Sequence, residues 1–302
     1  MIEEPRIEPP EIGEREAWVL AARPKTLPAA VAPVAVGIGL AIRDGAFRPT
    51  PALAALAVAL LLQIGVNLAN DYFDWHKGVD GAERMGPTRV TQSGLIAPER
   101  VRLGMIITFG AAAIIGAYLA ISGGWPVLAA GAAAILTALA YSGGPFPLAS
   151  HGLGDVAVFI FFGLVAVGGT YYVQARRLTW MTAICATPPG LLITAILVVN
   201  NLRDIVTDRA AGKTTLAVLL GETGSRIEYI ALLGAAYLIP PIMVLTGAIR
   251  VWGLLPLLTL PLAAMLIREI MTISGRTMNR TLAGTARLAL VYSLLFAVGN
   301  AV

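Results

Sequence analysis

Apolar residues in this chain gather into runs long enough to cross a hydrocarbon layer, which takes about 20 residues each. The runs predict nine transmembrane helices at about 17–42, 51–73, 101–122, 125–142, 152–175, 179–202, 227–248, 252–270 and 284–302. The first carries Pro24, Pro28 and Pro33, so it should be kinked or begin irregularly; Pro256 and Pro261 disturb the eighth in the same way. Alanine and glycine are frequent inside the runs, as in Ala111-Ala112-Ala113, and small residues let helices pack where no water drives them together.

Composition agrees with this pattern. Of 302 residues, 57% are hydrophobic and 13% charged, about half the charge of an ordinary soluble domain. One soluble core could not hide that much apolar surface. The single Cys185 lies within an apolar run, so there is no disulfide framework, and with only His76 and His151 beside it a structural zinc site has too few ligands.

The formal charge of +4 does not point to nucleic acid, because the basic residues sit in short loops beside apolar runs. Of the 22 Lys and Arg, only Arg43, Arg48, Arg176, Arg177 and Arg250 fall on the face opposite the amino terminus. The positive-inside rule then places the amino terminus and the loops after even-numbered helices in the cytoplasm, and the carboxyl terminus outside. Residues 1–16, polar and acidic with no apolar signal-peptide core, are expected to be a flexible cytoplasmic extension, or at most a short surface helix from Glu11. Residues 17–302 form one all-α membrane domain in this reading.

Two polar segments interrupt the hydrophobic rhythm, NDYFDWHKGVDGAERMGPTRVTQSGLIAPER at 70–100 and NNLRDIVTDRAAGKTTLAVLLGETGSR at 200–226. Four crossings separate them, so both emerge on one face. Asn70 and Asp74 share i, i+4 spacing, as do Asn200, Asp204 and Asp208, so each set lines one face of a helix end. Asp80 adds an acid to the first segment, while Asp71 points away from the Asn70/Asp74 face and reads as solvated. Carboxylates gathered this way repel one another unless a cation lies between them. Oxygen-only ligands select a hard ion, and Mg²⁺ held with a substrate phosphate fits best. Lys77, Arg84 and Arg89 in the first segment, and Arg203, Arg209 and Lys213 in the second, add cations that a bare metal site would not want. A metal-bound diphosphate would want them.

The pair of motifs resembles that of the UbiA-type intramembrane prenyltransferases, which carry N-D-x-x-D-x-x-x-D after helix 2 and D-x-x-x-D after helix 6. ARPKTLP at 22–28, NLANDYFDWHKGVD at 67–80, GPTR at 86–89, YSGGPFPL at 141–148, GLGDVAVFIFFGLVAV at 152–167 and NNLRDIVTDRAAGKTTLAVLLG at 200–221 are similar to the branch that prenylates 1,4-dihydroxy-2-naphthoate for menaquinone. The third acid of the first motif falls at Gly78 here, and Asp80 takes its place.

The resemblance implies a UbiA-like bundle with an active-site cap on the cytoplasmic side. It implies a polyprenyl diphosphate bound through Mg²⁺ held by Asn70, Asp74, Asp80, Asn200, Asp204 and Asp208, with Asp74, Asp204 and Asp208 central to catalysis. Lys77, Arg84, Arg89, Arg203 and Lys213 would meet diphosphate oxygens. The prenyl group would pass to an aromatic acid with loss of CO₂, in a bacterial or archaeal plasma membrane whose lipid accommodates the isoprenoid tail. Related acceptors of the 4-hydroxybenzoate or homogentisate type remain open.

Further candidates for substrate contact are Arg23 and Lys25 at the cytoplasmic end of helix 1, and Tyr141 and Asp155 flanking a loop without Lys or Arg. Tyr171 and Gln174, near the opposite face, read as helix-end solvation. An ion-coupled transporter is the competing class, since intramembrane carboxylates often mark ion pathways. Transporters, however, place such groups near the midplane at broken helices, and here they sit at helix ends beside arginines. A CDP-alcohol transferase would need further aspartates in residues 103–121, which contain none.

Overall fold

The computed structural model describes residues 12–78 and 85–302, and among them every regular element is helical. A helix satisfies its peptide groups within its own segment, which is what a hydrocarbon solvent demands. The chain begins with α1 (Glu14–Ala22) and α2 (Pro28–Arg43), joined by a 3₁₀ turn at Pro24–Thr26 and bent by 50°. Arg23 takes left-handed backbone there (φ 51), and Pro24 and Pro28 have no N–H to continue the ladder. The expected kink therefore falls at 23–27, while Pro33 is accommodated within α2.

Three unbroken helices follow: α3 (Pro49–His76), α4 (Pro98–Gly123) and α5 (Trp125–Ser142). The fifth crossing is composite, with α6 (Gly154–Val158), a π-helical stretch Phe159–Val165 and α7 (Ala166–Ala175). Next come α8 (Trp180–Arg203), the short α9 (Ile205–Ala210) and α10 (Leu216–Leu245). A 3₁₀ segment Val251–Thr259 runs into α11 (Leu260–Thr272), and a 3₁₀ turn Gly275–Thr277 leads to α12 (Met278–Ala301). Eight stretches among the described residues are each long and apolar enough to span a membrane, and the bent α1–α2 pair supplies a ninth.

Three boundaries depart from the sequence expectation, and one of them is the last helix, which begins at Met278 and not at 284. The seventh helix starts near 216 instead of 227, because Leu216–Leu220, counted with a polar loop, coils into a helical turn capped by Thr215, whose Oγ1 accepts the Val218 N–H at 3.3 Å. Gly221 (φ 72) then breaks the path before the long helix proper. The expected extension to residue 16 is shortened by α1, which already begins at Glu14; residues 1–11 lie outside the described residues.

Each end of the bundle is tied by its own contacts. Glu14 pairs with Arg100 at the start of α4, which puts the amino-terminal helix at the motif end. At the other end Tyr171 donates to Asp44, Arg177 lies 3.1 Å from the same carboxylate, and Arg43 donates to the Ala248 carbonyl at 2.9 Å. The Arg48 N–H donates to Gln174 Oε1 at 3.3 Å. Tyr171 and Gln174 are thus buried, 1% and 4% exposed, and not solvated as their position near a helix end suggested. Their partners, Asp44 and Arg48, come from the loop between α2 and α3.

The outer helices reverse the soluble rule, with Ile106, Ile107, Ile114 and Ile121 of α4 and Leu128 and Leu136 of α5 exposed. On the central α8, Leu192, Ala195, Val198 and Val199 are fully enclosed. Glycine makes the closest approaches. A Cβ added at Gly39 of α2 would stand 2.5 Å from the Ala297 carbonyl oxygen of α12, so two backbones meet with no side chain between them. Gly39→Val should therefore cost about 1–3 kcal/mol through overpacking, read as earlier thermal unfolding in detergent. Unchanged unfolding would contradict the α2–α12 contact.

Candidate active site

The last two turns of α3 carry Asn70, Asp71 and Asp74. Asn70 Oδ1 accepts from Ser142 Oγ at 2.6 Å, and Lys77 Nζ donates to the Ser142 carbonyl at 2.5 Å, fastening this helix end to the end of α5. Asp71 turns away from the Asn70/Asp74 face, as its spacing requires, but into protein and not into water. It is 1% exposed and accepts from the N–H groups of Val90 (3.1 Å) and Thr91 (3.0 Å). This double bond staples the returning segment onto α3, and the buried Arg89 beside it pairs with Asp74. Asp80 and Arg84 lie outside the described residues.

The second motif crosses a break without losing its face. Asp204, at φ −95 and ψ 8, ends α8, yet its N–H bonds to Asn200 O at 3.2 Å and the Asp208 N–H bonds to Asp204 O at 2.8 Å. The i, i+4 register of Asn200, Asp204 and Asp208 thus persists as the spacing predicted. Arg203 is 3% exposed and grips Asp204 with Nε at 2.9 Å and Nη2 at 2.5 Å, a two-pronged pairing suited to the guanidinium plane. The same side chain donates to Asn200 Oδ1 at 2.9 Å and, through Nη1, to Asn279 Oδ1 at 2.8 Å. Lys213 Nζ lies 3.0 Å from Asp208.

The two motifs come together. Asn279, in the first turn of α12, donates to the Met85 carbonyl at 3.0 Å while accepting from Arg203, so one amide joins the returning first segment to the second motif. Lys77 and Lys213 lie within electrostatic reach of each other. Burial and the Lys213 charge draw the Lys77 ammonium below its usual pKa, against the pull of Asp74. Burial pushes the Asp208 carboxyl up, against Lys213. Tyr141, half-buried at the end of α5, is within electrostatic reach of Asp74, Asp208 and Asp155 at once. Sequence reasoning missed Asn279, because a lone Asn in a turn-like TMNR stretch carries no spacing signal.

The remaining candidates sit at the same end. Arg23 is half-buried at the α1–α2 break, and Lys25 is exposed beside it. The turn they occupy is held on α3 by Asn67, whose Nδ2 donates to Ala22 O and Thr26 Oγ1, both at 2.9 Å. Asp155 is buried in the first turn of α6. His151 stacks on Phe146 at 3.8 Å, and His76 stacks on Tyr72 at 6.1 Å. An apolar notch of about 370 Å³, lined by Phe73, Leu136, Leu139, Ala140 and Phe146, lies between α3 and the end of α5.

Among the described residues no three acidic, histidine or cysteine side chains converge on one point. Each motif carboxylate instead faces a cation: Asp74 with Arg89, Asp204 with Arg203, Asp208 with Lys213. The donors offered to an incoming metal are oxygens from Asn and Asp alone, which is the chemistry of a hard divalent ion.

This constellation at one end of a nine-crossing bundle is that of a membrane-embedded enzyme. Residues 30–298 match the model of the UbiA prenyltransferase family, and the chain belongs to that family. It is 40% identical to the 1,4-dihydroxy-2-naphthoate octaprenyltransferase of Escherichia coli K12 over 96% of this chain and 96% of the relative. It is 41% identical to the Mycobacterium tuberculosis protein of the same name, over 93% and 95%. Its fold is similar to a solved UbiA homolog from Archaeoglobus fulgidus bound to GPP and Mg²⁺, with TM-score 0.66 and 16% identity over 93% of this chain and 100% of that one. The family match sets aside the transporter reading.

Asp74→Asn or Asp204→Asn should abolish turnover while the protein still purifies as a folded species; a near-normal rate in either would count against the metal assignment. Arg176→Ala, at the opposite end, should leave the rate unchanged, and complete loss there would mean the site has been put at the wrong end. Asn279→Ala should raise the Mg²⁺ concentration needed for half-maximal rate, because Arg203 loses the partner that holds it on Asp204; an unshifted Mg²⁺ titration would deny that coupling.

Proposed function

We propose that this enzyme transfers a polyprenyl group from polyprenyl diphosphate to 1,4-dihydroxy-2-naphthoate, with loss of CO₂, giving demethylmenaquinone in its reduced, quinol form. The observation that carries the reading is the pairing of Asp74, Asp204 and Asp208 each with a cation from its own segment, with Lys77 and Lys213 within electrostatic reach of each other. Two like charges held this close favour an anion between them. The two bacterial relatives that share nearly the whole length of the chain support the naphthoate acceptor by their names.

Asn70, Asp74, Asn200, Asp204 and Asp208, together with Asp80, are the residues suited to hold Mg²⁺. Bound there, the ion would neutralise diphosphate charge and so ease cleavage of the allylic C–O bond. Arg89 and Lys213 are placed to turn from their carboxylates toward diphosphate oxygens, and Lys77 and Arg84 would add to that contact. Arg203, held by four hydrogen bonds, orients Asp204 as well as contributing charge. The ring carbon of the acceptor forms its bond to the allylic carbon as diphosphate departs. Arg23 and Lys25 are candidates for the acceptor carboxylate, and Tyr141 and Asp155 line the acceptor side.

The apolar notch beside Phe73 offers the isoprenoid tail a path into lipid. The excess of Lys and Arg at the motif end supports a cytoplasmic site, with the carboxyl terminus on the other side of a bacterial or archaeal plasma membrane.

Purified protein in liposomes, given one prenyl diphosphate and a panel of naphthoate, 4-hydroxybenzoate and homogentisate, tests this reading. Prenylated naphthoate and released CO₂ should appear with Mg²⁺, vanish with EDTA and return when Mg²⁺ is restored. Turnover persisting in excess chelator would remove the metal from the mechanism, and preference for another acid would change the acceptor.

A further inference from the structure

Asp155 stands in the first turn of α6, just past the polar loop that follows α5, and is 6% exposed. Neither of its carboxylate oxygens meets a hydrogen-bonding group on another residue. Aspartates are almost never buried unless paired, and leaving a buried acceptor unsatisfied is costly. A carboxylate kept this way inside a membrane protein marks a functional position.

Tyr141 on α5 and Glu228 on α10 are within its electrostatic reach. Among the described residues no ion pair is formed by this carboxylate, in contrast to Asp74, Asp204 and Asp208. Tyr141 connects the two regions. Its hydroxyl lies 3.4 Å from where a Cβ at Gly154 would stand, and the same tyrosine is within reach of Asp74 and Asp208. Asp155 therefore lies beside Tyr141, which is also within reach of the motif aspartates, close enough to serve an acceptor bound next to the diphosphate.

We infer that Asp155 is the general base that takes the hydroxyl proton of the aromatic acceptor as its ring attacks. The inference rests on the prenyl-transfer reading above. The Asp155 carboxylate accepts the proton, and the O–H electron pair moves into the ring. The ring carbon bearing the carboxylate forms the new C–C bond to the allylic carbon, whose C–O bond breaks with its electron pair leaving on diphosphate. The ring product is now a β-keto carboxylate. Loss of CO₂ returns that bonding pair to the ring and forms an aryloxide, which recovers its proton from Asp155. The carboxylate ends each cycle as it began, with no added reductant or oxidant.

The test compares wild type and Asp155→Asn on two acceptors, 1,4-dihydroxy-2-naphthoate and a ring-fluorinated analogue whose hydroxyl is already ionised at the assay pH. Binding of a non-hydrolysable prenyl diphosphate with Mg²⁺ is measured alongside. Loss of a general base should lower kcat on the natural acceptor by about 100-fold or more, with KM for the prenyl donor unchanged. On the ionised acceptor the variant should fall by no more than about tenfold, because no proton need be removed. An equal loss on both acceptors, no loss on either, or failure of the variant to bind the donor analogue would overturn the role and make Asp155 a structural residue. Wild-type protein that prenylates neither acceptor would instead overturn the functional reading on which the role depends.

Discussion

Hydrocarbon offers no partner to a peptide group or a charge, and the architecture of this chain follows from that constraint. Each crossing is a helix, and where the path is irregular it lies at an end or against other helices, as at Arg23 and along Phe159–Val165. Charged side chains are driven to the two ends, and there they are shared among loops. One end uses its charges to close the bundle, through Asp44, Tyr171, Arg177 and Arg43. The other carries Asp74 at the end of α3, Asp204 after α8 and Asp208 in α9, each matched to a cation from its own polar segment. The chemistry is confined to that second end because the helices between leave it nowhere else to reside.

The matched charges also set the state in which the site waits. A cluster of bare carboxylates would repel itself and loosen the helix ends. Arg89, Arg203 and Lys213 prevent that, and they belong to the same segments as the acids they hold. Asp71 and Asn279 hold the returning first segment in place, through the Val90 and Thr91 N–H groups and the Met85 carbonyl.

Much of this was legible in the sequence, because both signals involved are local. Apolar run length gave the crossings, and i, i+4 spacing gave the shared face of Asn200, Asp204 and Asp208, which survives even the break at Asp204. What escaped depended on contacts between distant segments. Asp71 looked solvated because its partners, Val90 and Thr91, come back from a returning loop. Tyr171 and Gln174 looked like helix-end polarity because their partners, Asp44 and Arg48, belong to a loop more than a hundred residues earlier. The early start of α10 was hidden because an apolar turn, Leu216–Leu220, is separated from the main helix by Gly221.

The bridge from Met85 through Asn279 to Arg203 has a consequence for biogenesis. Both acidic motifs are synthesised well before α12, yet the amide that joins them arrives only with that helix. A nascent chain that has inserted its first seven crossings carries the full set of motif residues but not the brace that sets Arg203 against Asp204. The two polar segments are therefore tied to each other through Asn279 only once the last helix of the chain has docked.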